Sequence, residues 1–142
     1  MADVGALATI ASVIAAVGCA LLVLRVQREL QGEIRRISWA EWLLICAILA
    51  ALLLVLLPLA ACGNRPGHFA DLPGAGCSAA IVLIAGYVFS FLAHYRLLFG
   101  GQRTGPHANP EPAERWLVIL TLLLAAIVFA VVWFRYPAGP EL

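Results

Sequence analysis

The residues of this chain whose types and spacing could do chemistry are few. They are four cysteines, three histidines and a small number of hydroxyls. Cys62 and Cys77 bracket the stretch Gly63 to Gly76, which also holds His68 and Asp71. Two cysteines at that separation can close a loop about as long as the 15-residue case, for which the chain-entropy account gives ~3 kcal/mol. A disulfide between Cys62 and Cys77 is the expectation, in an oxidising space such as a bacterial periplasm. The sharper alternative is a zinc or copper site made by the same two thiols with His68 and Asp71. That spacing matches no standard ligand pattern, and free thiols are the remaining alternative.

Cys19 and Cys46 fall inside apolar stretches, where a free cysteine behaves as a small buried hydrophobe. Cys-x-x-Cys does not occur, which argues against a four-helix thiol-disulfide oxidoreductase working with quinones. Tyr87, Ser90 and His94 fall within about 60° of one another on a helix of 3.6 residues per turn. This is the one polar stripe inside an apolar stretch, and ionisable groups in such places are functional suspects. A proton relay or a sensor is the chemistry it could support. The plainer account is one tyrosine with one hydroxyl partner, and a histidine at the headgroups beside Arg96. No P-loop, nucleophile elbow or zinc-protease motif is present. One histidine within a span is too few for bis-histidine haem in one chain. The expectation is no catalytic, cofactor-binding or metal residues, no cofactor, and no enzyme.

The elements that must position these residues follow from composition. Of the 142 residues 63% are hydrophobic and 12% charged, about half the charged fraction of a soluble domain. So much apolar surface cannot be enclosed in one small core, and part of the solvent must be lipid. The net charge of +1 excludes a general nucleic-acid binder. Four stretches lack Asp, Glu, Lys and Arg: Val4 to Leu24, Trp42 to Asn64, Leu72 to Tyr95, and Trp116 to Phe134. Each approximates the ~20 residues that cross the hydrocarbon as a helix. None alternates with period two, which excludes a β-barrel. The fold expected is all-α: one domain over 1–142, a bundle of four transmembrane helices at about 4–26, 39–61, 75–99 and 113–135. The first helix is expected to continue past the membrane to about Gly32.

Helix ends supply punctuation. Ser38-Trp39-Ala40-Glu41 reads as a capping box, with Glu41 reaching back to the serine. Trp39, Trp42, Tyr95 and Trp116 mark one interface, and Trp133 and Tyr136 the other. Pro58 is expected to bend or end the second helix, and Pro112 suits a first turn. All nine basic residues are arginine. Arg25, Arg28, Arg35 and Arg36 lie in or beside loop 27–38, and Arg96, Arg103 and Arg115 in or beside loop 100–112. Arg65 lies in loop 62–74 and Arg135 near the tail. Seven against two places the first and third loops in the cytoplasm and both termini outside. The start Met1-Ala2-Asp3 carries no base and Arg25 follows the first span, so that span reads as a reverse anchor rather than a signal peptide.

Small residues recur at four-residue steps: Ala8, Ser12, Ala16 and Ala20 in the first span, Ala47 and Ala51 in the second, Gly86 and Ser90 in the third, Ala126 and Ala130 in the fourth. Such seams admit close helix approach, here expected within one bundle. Arg35 and Arg36 serve as topology determinants and could also meet anionic lipid. The Gly- and Pro-rich third loop reads as a linker. The function expected is a small non-catalytic anchor, scaffold or accessory subunit of a membrane complex. Its partners are the bilayer and other membrane subunits or copies of itself, with no nucleic acid. The alternative is a self-assembling effector, sensor or pore, such as bacterial defence systems use. All-arginine, Ala- and Leu-rich usage suggests a GC-rich bacterial genome, hence a bacterial inner membrane.

Overall fold

A computed structural model describes residues 4–30, 39–62, 71–94 and 111–135. Every described element is helical: α1 (Val4–Leu30), α2 (Trp39–Leu49), a π-helical segment (Ala50–Leu56), α3 (Leu57–Cys62), α4 (Leu72–His94) and α5 (Glu111–Arg135). Four stretches of these are long and apolar enough to cross a membrane: Val4–Gln27, Trp39–Ala61, Leu72–Leu92 and Glu114–Arg135. The second consists of α2, the π segment and α3 run together. Four such helices in one chain are the mark of an integral membrane protein, because a helix satisfies its own backbone where no water is available.

The central pair is α4 and the second span. α1 packs on α2, on the π segment and on α4; α5 packs on α4 and on α2. α1 and α5 are thus the outer helices, each packed mainly on the central pair. Leu43, Leu44, Val55 and Val118 are fully enclosed between these elements.

Close approaches set the registers. A Cβ on Gly18 would lie 2.6 Å from Cγ1 of Ile48, so α1 meets α2 at that glycine. Arg25 meets Glu41 across the same two helices. Gly18 and Arg25 are seven residues apart, and so are Ile48 and Glu41. One antiparallel register, two turns long, therefore accounts for both contacts. It turns Ala11, Ile14, Ala15 and Gly18 inward. Three members of the seam expected from the first span, Ser12, Ala16 and Ala20, are exposed instead. The physical reason is the arginine. Arg25 must face the bundle to reach its carboxylate, and that rotation carries the seam to the outer side. In the second and third spans Ala47, Ala51, Gly86 and Ser90 are buried. In α5 Ala125 is buried while Ala126 is exposed.

Pro58 neither ends nor breaks the second span. It has no N–H to offer the Leu54 carbonyl, the partner an α-helix would require. The chain has widened just before it, and the Leu57 N–H reaches the Leu52 carbonyl, five residues back. Gly76 of α4 approaches at the same place, where a Cβ would lie 2.5 Å from Cβ of Leu54 and 3.2 Å from its carbonyl oxygen. Only a glycine admits the neighbouring helix so close to that backbone.

α4 begins three residues earlier than the expected position 75. The Asp71 carbonyl accepts from the Ala75 N–H at 3.1 Å. Pro73 stands in the first turn, where its missing N–H costs nothing. This early start removes the basis for the Cys62–Cys77 disulfide. Cys77 lies inside α4 rather than at its end, is 3% exposed, and is a free thiol packed in the core. The side chain of Cys62, at the end of α3, lies outside the described residues, as does His68.

Candidate functional site

The polar groups of the bundle gather at one end, where α1 and α4 finish and α2 and α5 begin. Arg25 of α1 donates from Nε to Oε1 of Glu41 at 3.0 Å. Their side chains are 16% and 5% exposed, so both charges are largely out of water. Burying either alone would cost several kcal/mol, so the pair must form together. The guanidinium also lies 5.7 Å from the ring centroid of Phe91 in α4. Glu114 of α5 is buried, and its Oε1 accepts the Ala40 N–H at 2.9 Å. That N–H belongs to the first turn of α2, which has no intrahelical acceptor. A carboxylate from another helix thus caps α2 and meets the positive end of its dipole. On the outer side of the same end, the Arg115 guanidinium stands 5.5 Å from the ring centroid of Trp39.

One knot therefore ties all four spans: Arg25 from the first, Ala40 and Glu41 from the second, Phe91 from the third, Glu114 from the fourth. The sequence offers Glu41 a capping box with Ser38 and gives Glu114 no comparable local partner. Ser38 lies outside the described residues, and Glu41 is engaged with Arg25. A signal was present in the chain. Ala40-Glu41-x and Ala113-Glu114-x each set a carboxylate one or two residues before a tryptophan at the start of a span. Neither carboxylate at such a boundary is a surface charge once a basic residue or a helix start lies at its depth.

The expected polar stripe faces inward. Tyr87 is 6% exposed, with its ring 6.1 Å from that of Phe91 at 39°. Ser90 is completely enclosed, and its Oγ has no hydrogen-bond partner among the described residues. A buried hydroxyl in that condition costs ~1–3 kcal/mol. Gly86, one turn back, lies against Thr121 of α5, whose Cγ2 would be 2.1 Å from an added Cβ. Thr121 donates its own hydroxyl to the Leu117 carbonyl at 2.8 Å and offers Ser90 nothing by that bond. The His94 side chain lies outside the described residues, so the structure brings together two members of the stripe. Of the basic loop only Arg25 has a described side chain. It serves the knot. Arg28's side chain, Arg35 and Arg36 fall outside.

Cys19 is exposed on α1 and Cys46 is half-buried on α2; both are free thiols. No three His, Cys, Asp or Glu among the described residues stand close enough to share a metal ion. The knot can hold charge and fix helix positions, but it presents no nucleophile beside a base. Comparison of the chain with protein-family models, curated proteins and solved structures finds no match.

Proposed function

We propose that this chain is a small non-catalytic membrane protein, an anchor, scaffold or accessory subunit that docks another membrane helix along the outward face of α1. One observation carries the reading. Gly5, Thr9, Ser12, Ala16 and Ala20 are exposed and fall within about 80° of one another on the helix. Lipid tails are as apolar as leucine, so an apolar face alone drives no association in a bilayer. Small residues do, by admitting a second backbone to close packing. Thr9 returns its hydroxyl to the Gly5 carbonyl at 2.8 Å, which keeps the face smooth.

The partner is a helix of another membrane subunit, in a bacterial inner membrane, with both termini of this chain outside. Arginine asymmetry supports that orientation, and arginine-only usage supports the source. The alternative, a self-assembling effector, sensor or pore, uses the same α1 face for a second copy. The enclosure of Tyr87 and Ser90 favours the scaffold, since a pore shared between copies needs its polar groups on the shared side.

In a variant without native cysteines, Ser12→Cys is expected to cross-link to a different membrane protein in its native membrane, and Leu123→Cys on α5 is not. Cross-linking to a second copy would promote the alternative, and equal cross-linking from both helices would end the α1 reading. For orientation, Gly67→Cys is expected to react with an impermeant maleimide in intact cells while Thr104→Cys stays protected. Equal labelling would sink it.

A further inference from the structure

We propose that the outer rim where α2 and α5 begin is a binding site for the phosphate of an anionic phospholipid, with Arg115 as its anion contact and Trp39 as its platform. Glu114 and Arg115 are neighbours in sequence and point opposite ways. Glu114 is buried and bonded to the Ala40 N–H at 2.9 Å. That bond holds the first turn of α5 against the first turn of α2. Arg115 consequently emerges beside α2, where its guanidinium stands 5.5 Å from the Trp39 ring. An arginine on an aromatic face keeps its planar fork of donors free while losing side-chain freedom. Among the described residues no carboxylate is bonded to Arg115, whereas Arg25, at the same end of the bundle, is taken by Glu41.

The surroundings indicate which phosphate. Trp39, Trp42 and Trp116 are all exposed here, by 41%, 50% and 64%. Indole rings on the outside of a membrane helix settle at the level of the headgroups. A guanidinium held at that level meets phosphodiester oxygens and binds them with two parallel charge-assisted bonds. Free phosphate would gain only the arginine. A phospholipid also lays its glycerol and upper acyl chain against the tryptophans. Net negative headgroups are favoured because Arg115 supplies a full positive charge and Glu114 is withdrawn into the bundle. This placement holds whichever side of the membrane the rim faces.

Native mass spectrometry of the full chain released from detergent tests it, with dioleoyl phosphatidylglycerol, dioleoyl phosphatidylcholine and inorganic phosphate as separate probes. Phosphatidylglycerol adducts are expected to exceed phosphatidylcholine adducts, and inorganic phosphate is expected to leave none. Arg115→Gln is expected to weaken phosphatidylglycerol binding about fivefold to tenfold. Arg115→Lys recovers part of the loss because the charge returns without the fork, and Trp39→Leu weakens binding by a smaller factor. Arg135→Gln, at the opposite end, is expected to change nothing. Arg115 is exposed, so its variants keep the fold, which an unchanged thermal unfolding curve checks. Equal phosphatidylglycerol binding by wild type and Arg115→Gln would overturn the site. Phosphate adducts that depend on Arg115, without lipid preference, would overturn the lipid assignment.

Discussion

The two outer helices are equally apolar to the eye and differ in what they show the membrane. α5 turns outward Leu120, Leu123, Leu124, Ile127, Val131 and Phe134, all exposed and bulky. α1 also exposes Ile10, Val13, Val17 and Val23, but beside them it carries a stripe of Gly5, Thr9, Ser12, Ala16 and Ala20 that α5 lacks. A leucine-rich face is well solvated by acyl chains, whereas a face of small residues leaves a shallow groove that a second helix fills better than lipid does. Their inner faces differ too. α1 is held by an ion pair and one glycine, α5 by a capping carboxylate and one glycine. Hydropathy does not distinguish two such helices, and the size and charge of single side chains do.

The largest test of this contrast is at the ion pair. Arg25→Ala takes the guanidinium away from the buried Glu41 carboxylate and is expected to cost about 3–5 kcal/mol in reversible unfolding from detergent. Replacing both together, Arg25→Met with Glu41→Leu, is expected to restore most of that stability, because apolar groups of similar volume remove both desolvation penalties. A double variant as unstable as the single would show that the pair is not what holds α1. On α5 the corresponding change is smaller. Glu114→Ala strands the Ala40 N–H and is expected to cost ~1–3 kcal/mol. A loss equal to that of Arg25→Ala would erase the distinction between the two tethers.

The glycines sharpen the comparison. Gly86→Ala drives a methyl into Thr121, a β-branched residue stiff at χ1 whose own Cβ would be 2.9 Å away. Overpacking of that kind costs about 1–3 kcal/mol. Gly18→Ala meets Cγ1 and Cδ1 of Ile48 at 2.6 and 3.1 Å. Ile48 is also β-branched, but its Cβ is not among the nearest atoms whereas that of Thr121 is, so the cost is expected to be lower. Thermal unfolding of the two variants side by side checks the order, and the reverse order would mean that α1 is the more tightly packed outer helix.

The smallest effects belong to the polar stripe. Tyr87→Phe loses a hydroxyl interaction that in membrane proteins averages ~0.6 kcal/mol and reaches ~1.7. Ser90→Ala has the opposite sign: it removes a buried hydroxyl without a described partner and is expected to be neutral or slightly stabilising. Destabilisation by Ser90→Ala beyond about 1 kcal/mol would mean that the hydroxyl has a partner after all.

The four spans were legible in the chain because hydrocarbon imposes a one-dimensional test that reads from the residues alone. A helix across it must be apolar for ~20 residues, with charges at its ends. Trp39, Trp42 and Trp116 declared one boundary for the same reason, and Pro112 suited the first turn in which it stands. Rotation about each helix axis was not legible. Lipid and protein core are both apolar, so a membrane helix carries no amphipathic pattern to say which side is which. Spacing alone turns the seam of Ala8, Ser12, Ala16 and Ala20 inward, while the pairing of Arg25 with Glu41 and the fit of Gly18 against Ile48 turn most of it outward. From the sequence Cys77 reads as a helix-end partner for Cys62 across an outer loop, while the helix start at Leu72 places its thiol in the core. Glu114 found Ala40 across 74 residues of chain. The place of Glu114 just before Trp116 marks it as a boundary carboxylate, but local spacing does not say which helix it meets, because that meeting exists only once α2 and α5 stand side by side at one depth.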